Sequence, residues 1–404
     1  MLWQPALPDR YYAMSDEDLA QAIAARREQL GDILLILGHH YQQDEVIQHA
    51  DLTGDSLKLS RLAAEEASKR GTKYIVFCGV HFMAETADLL TDDAVAVILP
   101  DLSAGCPMAD MAEYDDVVEA WESIHAVLGN DWNGRVIPIA YVNSSAAVKA
   151  FVGEHGGACC TSSNATEIFG WALAGGERPA GNNEQIKVLF LPDQHLGRNT
   201  ASTFGLITEV DGAAGRGPSD IAVWDPRLEG GGIREQQIRS ATILLWAGHC
   251  TVHMRFCPEH VDQVKREYAE TGGITVIVHP ECRKEVVDRA DDVGSTEYII
   301  SRVEQAEPGT NWAVGTEVHL INRLAKRAAR RGVNVRLLGD CLCLCAMMYR
   351  INPQHLLWTL DNLAHRKVVN RIQVPPEVKH HARLALERML SHTGQTPSEL
   401  ILAR

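Results

Sequence analysis

Residues 337–348 read LLGDCLCLCAMM, which places Cys341, Cys343 and Cys345 within five residues of a chain that has ten cysteines. The local text suits a disulfide knot, a zinc site or an iron–sulfur ligand equally well. Two earlier stretches resemble it: SAGC at 103–106 and WAGHC at 246–250 also bring a glycine and then a cysteine after an apolar run. The stretch therefore reads as the third copy of one strand end.

Around these ends, β-branched apolar runs alternate with helical patterns, which points to α/β architecture with parallel sheets. The runs include ILLIL before His39, KYIVFC before Gly79, AVAVILP before Asp101 and VIPIAYV before Asn143. KVLFLP before Asp193, TILLW before Ala247, ITVIV before His279 and VRLL before Gly339 complete the set. Four kinds of strand end recur three times in the same order. The first kind is GHHYQ (38–42), YVNSS (141–145) and HPEC (279–282). The second brings a small hydroxyl residue to a helix start in GDSLKLSRL, TSSNATEIF and GSTEYIISR. The third reads GVHFMAETADLL, PDQHLGRNTA and VGTEVHLINRL, and the fourth is the glycine–cysteine end.

Such a repeat predicts three pseudo-symmetric domains of about 100 residues, each a small parallel sheet with flanking helices. The boundaries read as α/β domains over 26–125, 126–265 and 266–352, with helical segments at 1–25 and 353–404. Gly-rich text near 203–235 reads as a surface insertion in the second domain. Ser15 is the expected N-cap of the helix SDEDLAQAIAARREQL. The C-terminal segment, broken at Pro375 and Pro376, is expected to pack on the third domain.

Composition narrows the function. A net charge of −15 argues against nucleic acid or an anionic membrane as the main partner. No apolar run reaches the roughly 18 residues of a membrane span. The N-terminal text lacks a basic region followed by an apolar one, so a cytoplasmic location is expected. In that reducing compartment clustered cysteines bind metal or react more often than they form disulfides.

In parallel sheets ligands bind beyond the carboxyl ends of the strands. His39, Tyr41, Tyr141, Asn143, His279 and Glu281 all stand at such ends and are expected to converge, together with one cysteine per domain. Three thiolates would leave one iron of a cubane open as a Lewis acid, since four cysteines normally complete such a cluster. For any single cysteine, packing in the core is the ordinary alternative. Cys78, Cys159 and Cys160, within or just after apolar runs, are assigned to it. Ser56, Ser162 and Thr296 either cap helices or join helix N–H groups in holding an anion. His279 and Glu281, two residues apart, form a candidate acid–base pair, with a plain surface turn as the alternative. His253, three residues after Cys250, would share a helix face with it.

Taken together, GHHYQ with GDSLKLSR, LPDLSAGCPMADM, YVNSSAAVKA, CTSSNA, LPDQHLG, WAGHCTVH, HPEC, GSTEYI and CAMM resemble the quinolinate synthase family. The motifs span residues 33–352 in family order. The resemblance implies a cytoplasmic enzyme, a transferase of NAD biosynthesis. It would condense iminoaspartate with dihydroxyacetone phosphate to quinolinate, phosphate and two waters. It implies three domains around a central 4Fe–4S cluster held by Cys106, Cys250 and Cys345, the last chosen by the CAMM match. It further implies that His39, Ser56, Tyr141, Asn143, Ser162, His279, Glu281 and Thr296 bind substrate, and that Tyr41 belongs to the active site. Glu281 would move protons with His279, Tyr41 and Tyr141. Functional coupling to the L-aspartate oxidase that supplies the imine is expected without a stable complex. Two other readings stay open: a zinc-dependent hydrolase using Cys250, His253 and another histidine, and a non-catalytic iron–sulfur redox sensor. No role follows for Cys341 or Cys343.

Overall fold

The structure, a computed structural model, describes residues 4–340 and 343–392. In chain order, α1 (Asp9–Tyr12) and α2 (Asp16–Leu30) lead into β1 (Leu34–His39), α3 (Asp44–Ile47), β2 (Leu52–Gly54) and α4 (Ser56–Arg70). Then come β3 (Tyr74–Cys78), α5 (His81–Leu90), β4 (Ala96–Ile98) and α6 (Tyr114–Leu128). The middle of the chain forms β5 (Gly134–Tyr141), α7 (Ala146–Glu154), β6 (Ala158–Cys160) and α8 (Ala165–Leu173). It continues with β7 (Gln185–Leu191), α9 (Gln194–Thr203), α10 (Glu209–Ala213) and β8 (Ile221–Trp224). Next are α11 (Glu235–Ser240), β9 (Ile243–Trp246) and α12 (Pro258–Glu267). The last third has β10 (Thr275–Val278), α13 (Lys284–Val287), β11 (Asp292–Val293), α14 (Thr296–Glu304) and β12 (Asn311–Gly315). It ends with α15 (Val318–Ala329), β13 (Asn334–Leu337), α16 (Ala346–Tyr349), α17 (Pro353–Ala364), β14 (Arg371–Ile372) and α18 (Pro376–Ser391).

The strands make three sheets, ordered β14-β4-β3-β1-β2, β6-β5-β7-β9-β8 and β11-β10-β12-β13. Each contains one four-strand core in which the first strand lies between the second and third, and the fourth lies beyond the third. That shared order is the repeat read from the sequence. It holds at atomic detail: Asp51 donates its N–H to Ile36 O and accepts the Ile36 N–H, and Asp291 does the same with Val276. β1 is buried along its whole length, as a parallel strand covered on both faces should be. No helix of the described residues is long and apolar enough to cross a membrane.

By contacts the chain falls into two compact units. One holds the chain up to Cys106 with Ile300–Trp312 and Thr316–Pro375; the other holds Pro107–Ile299, Ala313–Gly315 and the chain from Pro376. In the first unit α2 begins as read, with the Ser15 side chain accepting the Asp18 N–H. α17 packs along α2, and Asp361 on it accepts Tyr11 Oη (2.8 Å) and Arg26 Nε (2.6 Å). β14 then adds antiparallel to the open edge at β4.

In the second unit, α18 lies on α7 and β6. The expectation that the C-terminal segment packs on the third domain is thus corrected. Its helices and strand close faces of the first and second sheet systems, because the exposed edge at β4 and a groove on α7 are there to be filled. Within 203–235, β8 pairs in parallel with β9 and buries Ile221, Ala222 and Trp224, so this stretch of the Gly-rich text is sheet.

Gly153 makes the α18 groove. A Cβ at this position would stand 1.9 Å from the His381 carbonyl oxygen, which is backbone and cannot rotate away. Gly153→Ala is therefore expected to destabilise the protein by about 1–3 kcal/mol, the usual range for overpacking. Urea unfolding checks this, and an unchanged midpoint would show that α18 does not bear on α7 in solution.

Candidate functional site

The second unit assembles a buried polar cluster at the C-terminal ends of β5 and β10. Glu281, 3% exposed, lies two residues beyond His279 at the end of β10. Its Oε1 accepts the Tyr141 hydroxyl at 2.6 Å, and its Oε2 faces His253 Nδ1 at 3.1 Å. The His253 and His279 rings stack at 4.4 Å between centroids. Asn199 on α9 pins the turn between them, donating from Nδ2 to Pro280 O (2.7 Å) and Cys282 O (2.8 Å). Cys250 is half-buried, and its Sγ, a His253 ring nitrogen and a Glu281 oxygen lie within 4.8 Å of one another. Such a group can hold a metal.

Electrostatics divides these groups by role. Burial pushes His279 down to about 3, with His253 adding to the effect, so the imidazole is neutral near pH 7. Burial opposes ionisation of Glu281, but the facing histidines and the Tyr141 hydroxyl outweigh it and hold the carboxyl down at about 2. Asp193, fully buried, is pushed the other way by burial and then by Glu281. The same cluster thus pushes its two buried carboxyls in opposite directions.

His279 Nδ1 accepts the Glu281 N–H at 3.4 Å, and in the first unit His39 Nδ1 accepts the Tyr41 N–H at 3.1 Å. A backbone N–H can only donate, so each neutral ring carries its proton on Nε2, which stays a donor. Tyr41 packs edge-on to His39 at 4.7 Å, and its hydroxyl is 2.9 Å from Thr316 Oγ1.

The hydroxyl residues are placed differently from the simple capping picture. Asp55 caps α4, its Oδ1 accepting the Lys58 N–H at 2.9 Å, and Ser56 is the first helical residue. Likewise the Ser295 hydroxyl accepts the Tyr298 N–H, and Thr296 opens α14. Ser162 stands in the turn between β6 and α8. Capping is done by the preceding residue in the first two. Asn143, just past β5, has a buried Oδ1 with no partner among the described residues.

Cys106, Cys250 and Cys345 are half-buried in the loops after β4, β9 and β13. One hydrogen bond sets a common register for these loops. The first helical N–H of α5, α9 and α15 donates to Ala104 O (2.8 Å), Gly248 O (2.9 Å) and Cys343 O (3.0 Å), two residues before each cysteine. Cys78, Cys159 and Cys160 are fully buried as expected, and burial pushes the Cys78 thiol up to about 12. Cys343 is buried, and Cys341 lies outside the described residues.

The sequence named Tyr141, His279 and Glu281, and the structure brings them together with His253. Sequence reasoning missed Asp193, His195 and Asn199, though their motif PDQHLGRNTA stood in the repeat. Burial and then Arg198 push His195 down to about 3.

Comparisons with known proteins agree along nearly the whole chain. Residues 21–391 match the family described as Quinolinate synthetase A protein (NadA). A protein of Acidobacterium capsulatum named quinolinate synthase is 52% identical over 387 residues, covering 96% of each chain. One of Herpetosiphon aurantiacus with the same name is 50% identical, covering 95% of each. One of Streptomyces coelicolor, again so named, is 48% identical over 93% of this chain and 89% of its own.

Proposed function

Since the chain belongs to the quinolinate synthetase A family, we propose that it is the quinolinate synthase of NAD biosynthesis. In this reading it is a transferase joining iminoaspartate to dihydroxyacetone phosphate. Quinolinate, phosphate and two waters balance the two substrates with no net oxidation. A carbon–carbon bond and a carbon–nitrogen double bond form, phosphate leaves and two hydroxyls depart as water. L-aspartate oxidase would supply the imine without a lasting complex.

The observation that carries the reading is the Tyr141–Glu281–His253 arrangement beside His279. Glu281 Oε1 is an ionised acceptor able to take a proton from the imine's methylene carbon, with Tyr141 Oη placed to pass it on. His279 and His39 present Nε2–H donors to substrate oxygens. Asn143, with its unmatched carbonyl, and the helix-start residues Ser56, Ser162 and Thr296 suit the carboxylates and the phosphate. Tyr41 completes this set beside His39.

A 4Fe–4S cluster fits the half-buried cysteines and not the fully buried ones, whose thiolates burial disfavours. The common loop register supports Cys106, Cys250 and Cys345 as its ligands and matches Cys345, not Cys343, to the other two. When bound, the open iron supplies a Lewis acid that polarises a substrate oxygen and eases loss of a hydroxyl.

Anaerobic purification followed by an assay with both substrates tests the whole reading. About four irons per chain, as one cubane requires, and quinolinate formation are expected. A colourless zinc protein that makes none would favour the hydrolase reading of the Cys250, His253 and Glu281 group. Iron without quinolinate formation would favour the sensor.

A further inference from the structure

We infer that Arg323 and Asn199 are positioning residues: each orients one backbone peptide and so keeps the proton of His39 or His279 on Nε2. The peptide joining His40 to Tyr41 is held at both ends. Its N–H donates to His39 Nδ1 (3.1 Å), and its carbonyl accepts Arg323 Nη2. The peptide joining Pro280 to Glu281 is held in the same way, with its N–H on His279 Nδ1 (3.4 Å) and its carbonyl on Asn199 Nδ2 (2.7 Å). Both peptides are trans, so N–H and C=O point oppositely, and a donor on the oxygen fixes where the hydrogen aims. That donor also polarises the peptide and strengthens the bond at its far end.

Each clamp takes a second carbonyl of the same turn. Arg323 Nη1 donates to Gln42 O (2.7 Å) and to Asp44 Oδ1 (3.0 Å), and Asn199 Nδ2 donates to Cys282 O (2.8 Å). In both turns the held carbonyls flank the residue, Tyr41 or Glu281, whose N–H meets the ring. The clamps also share a place in the repeat. Counted from Gln194 and Val318, the first residues of α9 and α15, Asn199 and Arg323 occupy the same helical position. A surface ion pair with Asp44 does not account for Arg323, because its side chain is only 12% exposed and its other two acceptors are neutral carbonyls.

The remaining copy of the strand end is an internal control. It begins with Tyr141, which has no ring nitrogen to set. The matching position of α5 holds Thr86, whose hydroxyl donates to Phe82 O of its own helix (2.8 Å). The turn after β5 is closed from nearby in the chain instead, by Ser144 Oγ on Tyr141 O (2.9 Å) and Lys149 Nζ on Ser144 O. A long donor at this helical position thus goes with a histidine at the strand end.

The role of these protons in catalysis rests on the proposed function, in which both Nε2–H groups donate to substrate oxygens; their positions do not. Nitrogen NMR of protein carrying ring-labelled histidine tests the positions at about pH 8, where an ordinary histidine is neutral. The two rings are assigned by their loss in His39→Gln and His279→Gln. In the unaltered protein both are expected as Nε2–H tautomers. Arg323→Lys keeps the charge but not the planar fork. That variant and Arg323→Ala should let His39 populate both tautomers with His279 unchanged, and Asn199→Ala should do the reverse. Lys326→Ala, which removes only a neighbouring bond to Asp44 (2.9 Å), should change neither ring. In the Arg323 and Asn199 variants kcat/KM for quinolinate formation should fall about 10-fold, the worth of roughly one hydrogen bond. A His39 ring that stays wholly Nε2–H in both Arg323 variants would overturn the inference. So would a substitution that shifts both rings alike, the mark of general loosening. If the unaltered protein makes no quinolinate while the rings respond as stated, the positioning stands and the proposed function falls.

Discussion

Glu281→Gln is expected to lower kcat by about 10²–10⁴-fold, the range spanned by a lost general acid–base group. The substitution keeps the side chain's shape and its burial but removes the proton acceptor. Glu281 receives two donors, Tyr141 Oη on one oxygen and His253 Nδ1 on the other. Glutamine can accept only one of them, so its NH2 must face the second donor. That mismatch alone costs about 1–3 kcal/mol, as for an unmatched buried polar group. Stability and catalysis are therefore both measured: a modest fall in unfolding free energy with a far larger fall in kcat separates the roles.

Iron is counted in the same preparation, because Glu281 lies beside Cys250. Turnover near that of the parent with iron intact would show that another group takes the proton. Tyr141→Phe should cost less, since it removes one charge-assisted bond worth roughly 1.5–3 kcal/mol and leaves the carboxylate. Because the two side chains touch, the double variant should lose less than the sum of the single losses.

The legible part of this molecule was what lies along the strands. Buried parallel strands are continuous apolar runs with polar ends, so His39, Tyr141 and His279 could be placed at strand ends from text alone. Three similar sheets were expected because the ends recur in one sequence of kinds; the strand order within them was not read from it. What stayed hidden depends on partners far apart in the chain. Asn199 was visible in a motif, but its task of holding the carbonyls of Pro280 and Cys282 is a contact across some eighty residues. His253 could be placed near Cys250 by helical spacing, yet its bond to Glu281 could not.

The C-terminal helices misled for a related reason. An amphipathic helix shows that it needs a partner surface and not which one, and Gly153 as the seat of α18 is one glycine among 32. β8 was obscured by its setting, a four-residue edge strand inside Gly-rich text.

The same limit explains the ambiguity with which the cysteine triplet began, and a pair of variants resolves it by experiment. Side chains of an extended chain alternate, so residues 341, 343 and 345 share a side and direction cannot separate them. Tertiary register can. Val318 N–H takes the Cys343 carbonyl where Gln194 and His81 take Gly248 and Ala104, so Cys345 is the equivalent of Cys250 and Cys106. Cys343 is fully buried, and Cys345 is half-buried in the loop. Cys345→Ser is accordingly expected to lose most of the iron and all measurable quinolinate formation, because two thiolates do not hold a cubane that normally takes four. Cys343→Ser should keep the iron count, with only a stability loss of about 1–3 kcal/mol from a hydroxyl placed at a buried position. Iron and activity measured on both variants decide the matter. Loss of iron from Cys343→Ser with retention in Cys345→Ser would move the ligand by two residues and overturn the shared register.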